Sequence, residues 1–156
     1  KQIKGALPDV QLLGIDLSSA YLRQASRSLN KDGGEFVQLV RGNAENMPFE
    51  SESMQAVTSV FLLHELPPKA RQNVLNECWR VLEPGGLIVL ADSIQLEDSP
   101  QFSKVLEDFH KVFHEPYYKN YINDDIQSRL LNSKFESIKS QSHFMTRIWV
   151  ANKPIK

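Results

Sequence analysis

Cysteine, net charge, long apolar runs and early glycine are all scarce in this chain, and each shortage closes off a class of protein. A lone cysteine, Cys78, among 156 residues cannot form an internal disulfide, so a reducing cytoplasm is the expected setting. A formal net charge of -1 lacks the basic footprint of a nucleic-acid binder. No apolar run approaches the ~20 residues of a bilayer crossing, so neither nucleic acid nor membrane is an expected partner. Of seven glycines only Gly5 precedes Val10, so no glycine-rich turn opens the chain. There is no initiator methionine and no signal peptide. KQIKGALPDV reads as the tail of a helix already under way, and the chain is expected to be a piece of something longer. Hydrophobic residues at 41% and charged residues at 24% are ordinary globular values, and the length suits one domain, residues 1–156, around one core.

What is present alternates between strand and helix patterns. Leu12-Leu13-Gly14-Ile15 is a short apolar run ending at Asp16, too short for a helix and suited to a strand buried on both faces. Ser18 or Ser19 caps a helix carrying Leu22, Ala25 and Leu29, stopped by Asp32-Gly33-Gly34. Phe36 to Val40 is a second strand, followed by the turn residues Gly42 and Asn43, and Ala56 to Leu63 a third. Pro67-Pro68 opens a helix with Ala70, Val74, Leu75, Cys78, Val81 and Leu82 on one stripe, broken by Pro84-Gly85-Gly86. Leu87 to Ala91 is a fourth strand ending at Asp92. A long helix over 100–121 and a shorter one from Asp124 or Asp125 through Leu131 follow. Ser137 to His143 and Thr146 to Ala151 close the chain as an antiparallel hairpin around Phe144-Met145. Strand-helix repetition at this spacing implies an α/β fold, doubly wound around a mostly parallel sheet.

Parallel strands put their carboxyl ends on one edge, which gathers Asp16, Asn43, His64 with Glu65, and Asp92. Asp16 is placed to accept from both hydroxyls of a ribose, the alternative being a helix cap. Asn43 offers a carbonyl oxygen to an exocyclic amine, and the backbone at Ala44 and Glu45 can read a ring edge. The alternative there is a polar turn held by Asn43 itself. His64 can serve as a base or a pocket wall, or simply satisfy a turn. Tyr117 and Tyr118, with Tyr121, form either a lid over a substrate or the packed end of a helix. No metal is expected. His64-Glu65 lacks the second histidine of HExxH, and His110, His114 and Glu115 on the predicted long helix lack a third convincing ligand outside it. Cys78 sits in a buried stripe, where a reactive thiol is not expected.

With GIDLSSAYL, GNAENMPF, SVFLLHELP and ECWRVLEPGGLIVLAD in order from Gly14 to Asp92, the chain resembles the class I S-adenosylmethionine-dependent methyltransferases of the small-molecule type. Four weak motifs in the right order and spacing make a strong one together, and RVLEPGG before an apolar strand is the most specific. The resemblance implies a Rossmann-like sheet ordered 3-2-1-4-5-7-6 with the last strand antiparallel. It also implies S-adenosylmethionine as cofactor and a small-molecule methyl acceptor. Asp16 matches the residue that binds the cofactor's ribose, and Leu17 the one that packs on adenine. Asn43 stands where the family usually has Asp facing the adenine amine. Phe61 to His64 match the stretch lining the methionine portion and the acceptor.

The resemblance lacks one part: the family's first strand and its glycine-rich turn have no counterpart before Val10. That strand is central, so the strands ending at Asp16 and near His64 are expected to pair directly, or a neighbouring segment to enter the gap. A methyltransferase whose isolated piece is weak or inactive is the first reading, and a non-catalytic folded module the second. A nicotinamide-dependent Rossmann oxidoreductase, which also uses a strand-end acid, is disfavoured by NAENMPF and RVLEPGG.

Overall fold

The structure, a computed structural model, describes residues 2–30 and 37–155; the predicted helix stop at Asp32-Gly33-Gly34 and the strand start at Phe36 lie outside the described residues. The chain divides into two compact units, Lys1–Pro48 and Phe49–Lys156.

The first unit is a strand-helix-strand. Helix α1 (Gln2–Ala6) precedes β1 (Leu12–Asp16), α2 (Ser19–Asn30) and β2 (Val37–Arg41). The two strands run parallel, from Leu12 opposite Val37 to Asp16 opposite Arg41. A Cβ at Gly14 would stand 2.8 Å from Leu39 Cδ2, so the end of that leucine side chain would have to move aside.

The second unit holds β3 (Met54–Val60), α3 (Pro68–Val81), β4 (Leu82–Ser93), α4 (Ser103–Phe113), α5 (Tyr118–Tyr121), α6 (Ile126–Asn132), β5 (Glu136–His143) and β6 (Thr146–Asn152). Its sheet is ordered β3-β4-β6-β5. β3 and β4 are parallel, and β6 runs antiparallel to both its neighbours. The fold is therefore α/β and Rossmann-like, mostly parallel with a C-terminal antiparallel hairpin, and this order reproduces the 4-5-7-6 half of the family series.

The core lies where the α3 stripe meets this sheet. Val74, Leu75, Cys78 and Val81 are buried together with Leu82, Ile88 and Leu90 of β4 and Trp149 and Ala151 of β6. Burying each aliphatic side chain contributes about 1.5–3 kcal/mol. Lys153 is buried too, its Nζ donating to the carbonyls of Trp79 at 3.0 Å and Leu82 at 2.7 Å. It thereby satisfies acceptors that the end of α3 leaves open.

Three expectations are corrected. Within each unit the pairing is its own: β1 ladders to β2, and β3 to β4. The third strand ends at Val60 rather than Leu63. Phe61 adopts φ 50°, and the buried Asp92 carboxylate captures the N–H groups of Leu62 and Leu63, turning Leu63–Glu65 into a single 3-10 turn. The helix over 100–121 is broken into α4 and α5, with a separate 3-10 turn at Pro100–Phe102. His114 closes α4 in the left-handed region, φ 54°, and Pro116 disfavours helix at the residue before it. Finally, β4 starts at Leu82 directly from α3, because Pro84-Gly85-Gly86 bulges out of the ladder between Leu82 and Leu87 instead of forming a loop. Gly85 takes φ +80° there, a conformation that disfavours side chains.

Candidate functional site

In the first unit the carboxyl ends of β1 and β2 lie side by side. The Asp16 carbonyl accepts from Gly42 N–H at 3.1 Å, and Asp16 Oδ1 accepts from Ser18 N–H at 2.7 Å. Ser18 Oγ, not Asp16, caps α2 by accepting from Tyr21 N–H at 3.4 Å. The cap is thus Ser18, and the Asp16 carboxylate keeps further acceptor sites beyond its one turn bond. Leu17 beside it is 65% exposed, an apolar side chain presented at a strand end. Its carbonyl is held by Arg41 Nε at 3.2 Å; Arg41, the last residue of β2, was not singled out by the sequence motifs. Asn43 Oδ1 accepts from Glu45 N–H at 2.9 Å, and the Asn43 carbonyl accepts from Asn46 N–H at 3.0 Å. That is the self-held polar turn, with Ala44 and Glu45 at its corner.

In the second unit the organising group is Asp92, 1% exposed. Its Oδ2 accepts from Leu62 N–H at 3.1 Å and Leu63 N–H at 2.8 Å, and its Oδ1 takes Ser93 N–H at 2.8 Å. The same Oδ1 lies 2.6 Å from His64 Nδ1. A buried carboxylate with this many donors is held in place, and it fixes the imidazole in turn. Burial opposes charge on that ring. The Asp92 hydrogen bond and charge, with Glu115 and Glu65 nearby, outweigh burial and raise the His64 pKa above its ordinary value.

Phe61 leads into this turn, 48% exposed, with its ring edge-on to His64 at 6.2 Å. A bulky residue with positive φ costs about 1–2 kcal/mol. Such strain persists where the surroundings over-determine it, often at sites.

The tyrosines separate. Tyr118 is buried against His64, ring centroids 5.8 Å apart, and shares a 2.7 Å hydrogen bond with Ser93 Oγ. Burial raises its phenol pKa, against the Ser93 bond. Tyr121 Oη donates to the Ser93 carbonyl at 2.8 Å. Tyr117 is exposed, and its carbonyl accepts from Arg71. These placements are those of a packed helix end, with Tyr117 alone reaching solvent.

Arg71 is the residue the sequence concealed. It sits on the apolar stripe of α3 with no exposure at all. Its guanidinium donates to the Leu63 carbonyl at 2.8 Å, Asn120 Oδ1 at 2.8 Å, Asp124 Oδ2 at 2.6 Å and the Tyr117 carbonyl at 3.0 Å. One side chain therefore ties the turn bearing His64 to α5 and the segment after it. Burial pushes the Cys78 thiol up to about 12, which leaves it unreactive near neutral pH.

Comparisons with known proteins bear on family and fold. Residues 1–86, more than half of the chain, match the family described as the methyltransferase domain. The chain is 31% identical over 104 residues to the carboxy-S-adenosyl-L-methionine synthase of Actinobacillus succinogenes, covering 66% of this chain and 42% of that protein. It is 38% identical over 112 residues to the malonyl-[acyl-carrier protein] O-methyltransferase of Alcanivorax borkumensis, covering 72% of this chain and 35% of that one. The matched region spans less than half the length of these curated relatives. A S-adenosylmethionine-dependent methyltransferase structure from Methanosarcina mazei superposes with a TM-score of 0.73 at 18% identity, over 99% of this chain and 87% of that one. The chain belongs to the methyltransferase domain family and has the Rossmann-like fold of the class I S-adenosylmethionine-dependent methyltransferases.

Proposed function

We propose that this chain takes part in methyl transfer from S-adenosylmethionine to a small acceptor. The adenosine end of the cofactor would lie at the carboxyl ends of β1 and β2. The observation that carries this reading is Asp16: a half-buried carboxylate at a parallel strand end, bonded to its own turn through one oxygen, beside an exposed leucine. The Asp16 carboxylate accepts the ribose hydroxyls, Leu17 packs on the adenine face, and Asn43 with Ala44 and Glu45 faces the adenine edge. Phe61, His64, Tyr117 and Tyr118 keep, within the second unit, the roles the resemblance implies for the methionine portion and the acceptor.

The cofactor supplies a methyl group on a cationic sulfonium, a reactive centre that needs no metal. The chain's own residues contribute binding and orientation, which can account for most of such a rate enhancement. The family match and the relatives' names support this reading, while the acceptor stays at the level of a small molecule. The alternative is a non-catalytic folded module.

Titration of S-adenosylhomocysteine into the chain and its Asp16→Asn variant tests the proposal. Asn keeps an acceptor for Ser18 N–H while removing the charge, so the turn survives. Affinity is expected to fall by about 1–3 kcal/mol, the worth of charge-assisted hydrogen bonds. Equal affinity in the two proteins would reduce Asp16 to a turn residue. Cofactor binding without methyl transfer to any acceptor would favour the module.

A further inference from the structure

Around His64 the second unit collects more negative charge than a ring stacked into a core requires. One ring nitrogen of His64 and one carboxylate oxygen each from Glu65 and Glu115 lie within 4.8 Å of one another. With Nδ1 on Asp92, Nε2 is the nitrogen left to face a cation. We propose that His64, Glu65 and Glu115 bind one divalent transition-metal ion of the zinc class. This goes beyond the methyltransferase reading and does not depend on it.

The donor set selects the metal. An imidazole with two carboxylates suits zinc and its neighbours, whereas magnesium and calcium prefer oxygen alone. Three protein ligands also leave a fourth position open to water or a ligand. The orientation of the histidine is the strongest part of the case. A ligating imidazole characteristically donates its other N–H to a carboxylate, which fixes tautomer and aim. Asp92 fills that role, itself anchored by Leu62, Leu63 and Ser93 N–H groups. The rings of Tyr118 and Tyr121 stand edge-on to His64 at 5.8 and 6.1 Å and hold its plane.

Ligand bonds of about 2.0–2.2 Å require donor atoms about 3.4 Å apart in a tetrahedral site. The three atoms, within 4.8 Å of one another, must therefore close by up to about 1.4 Å. Glu65 is exposed and Glu115 half-buried, so this movement falls to the two carboxylates while Asp92 holds His64. The sequence offered no metal site, because Glu115 was read within the helix over 100–121. His114 ends α4 in the left-handed region, and Glu115, one residue on, is brought to His64.

The test titrates Zn2+ into the metal-free chain by calorimetry and repeats it with Glu65→Gln and Glu115→Gln, variants at positions that carry no part of the core. The expected result is one saturable equivalent in the parent and a loss of at least about tenfold in affinity in each variant. Co2+ should give the visible absorption of a tetrahedral site in the parent only. Zn2+ should also raise the parent's Tm, an effect both variants lose. Absence of saturable binding, or binding and a Tm shift unchanged in both variants, would overturn the proposal; the latter places the ion on other histidines.

Discussion

Asp92 and Arg71 show how two buried ionic groups set the geometry of one turn. The carboxylate binds the N–H groups of Leu62 and Leu63, while the guanidinium binds the Leu63 carbonyl. Both polar sides of the turn that carries His64 are thereby satisfied from neighbouring elements. Removing one partner of a buried ion pair strands several polar groups, at a cost of about 3–5 kcal/mol. Arg71→Met should accordingly lower stability by about that amount, read in urea unfolding as a shifted midpoint with an unchanged slope. A loss under about 1 kcal/mol would mean that Asp124, which keeps Arg129 at 2.7 Å, and the carbonyls of Leu63 and Tyr117 find other donors. Arg71 was invisible as a motif because its neighbours on the stripe, Val74, Leu75 and Cys78, define a purely apolar face, and three of its four partners lie 46 to 53 residues away. The place of Asp16 at the end of β1, by contrast, was legible because its signal is local: an apolar run, an acid, then a serine cap.

Helix starts with local punctuation were read correctly, and an end decided by distant contacts was not. Pro68 at the start of α3 and Asp125 before α6 mark true helix starts, since both act on backbone groups within one turn. The end of β3 depends instead on a carboxylate 30 residues away, and the apolar run Val60-Phe61-Leu62-Leu63 gives no hint of it. The break between α4 and α5 was signalled by Pro116 but masked by apolar residues at helical spacing on both sides. Asp125 provides a test at this scale. Its Oδ1 accepts from Ser128 N–H at 2.8 Å and its Oδ2 from Ser128 Oγ at 2.6 Å. The Ser128 side-chain bond, then its backbone bond, holds the carboxyl below the usual range. A depressed folded value means the stabilisation is complete above the unfolded pKa, about 3.9, and is lost as pH falls through the folded value. Asp125→Ala should cost about 1 kcal/mol at neutral pH, with the gap to the parent closing below about pH 4. A gap independent of pH would show that packing, not the ionised cap, is responsible.

At the scale of the whole molecule, the chain carries the family's sheet in two parts. Strands β1 and β2 form one ladder, and β3-β4-β6-β5 form the other. The closing hairpin was legible from its own pattern, whereas the strand order came only through the family resemblance, because hydrophobic periodicity says which residues are buried but not which strands share hydrogen bonds. The buried side chains gather in the second unit, while the residues proposed to hold adenosine belong to the first. Among the described residues no helix is long and apolar enough to cross a membrane. The central claim is that the ends of β1 and β2 form an adenosine-binding edge, and amide chemical-shift mapping with S-adenosylhomocysteine tests it most directly. The account predicts saturable shifts largest at Asp16, Leu17 and Ser18 and at Asn43, Ala44 and Glu45. Saturable binding that leaves these six amides unmoved, or no binding at any ligand concentration, would contradict it.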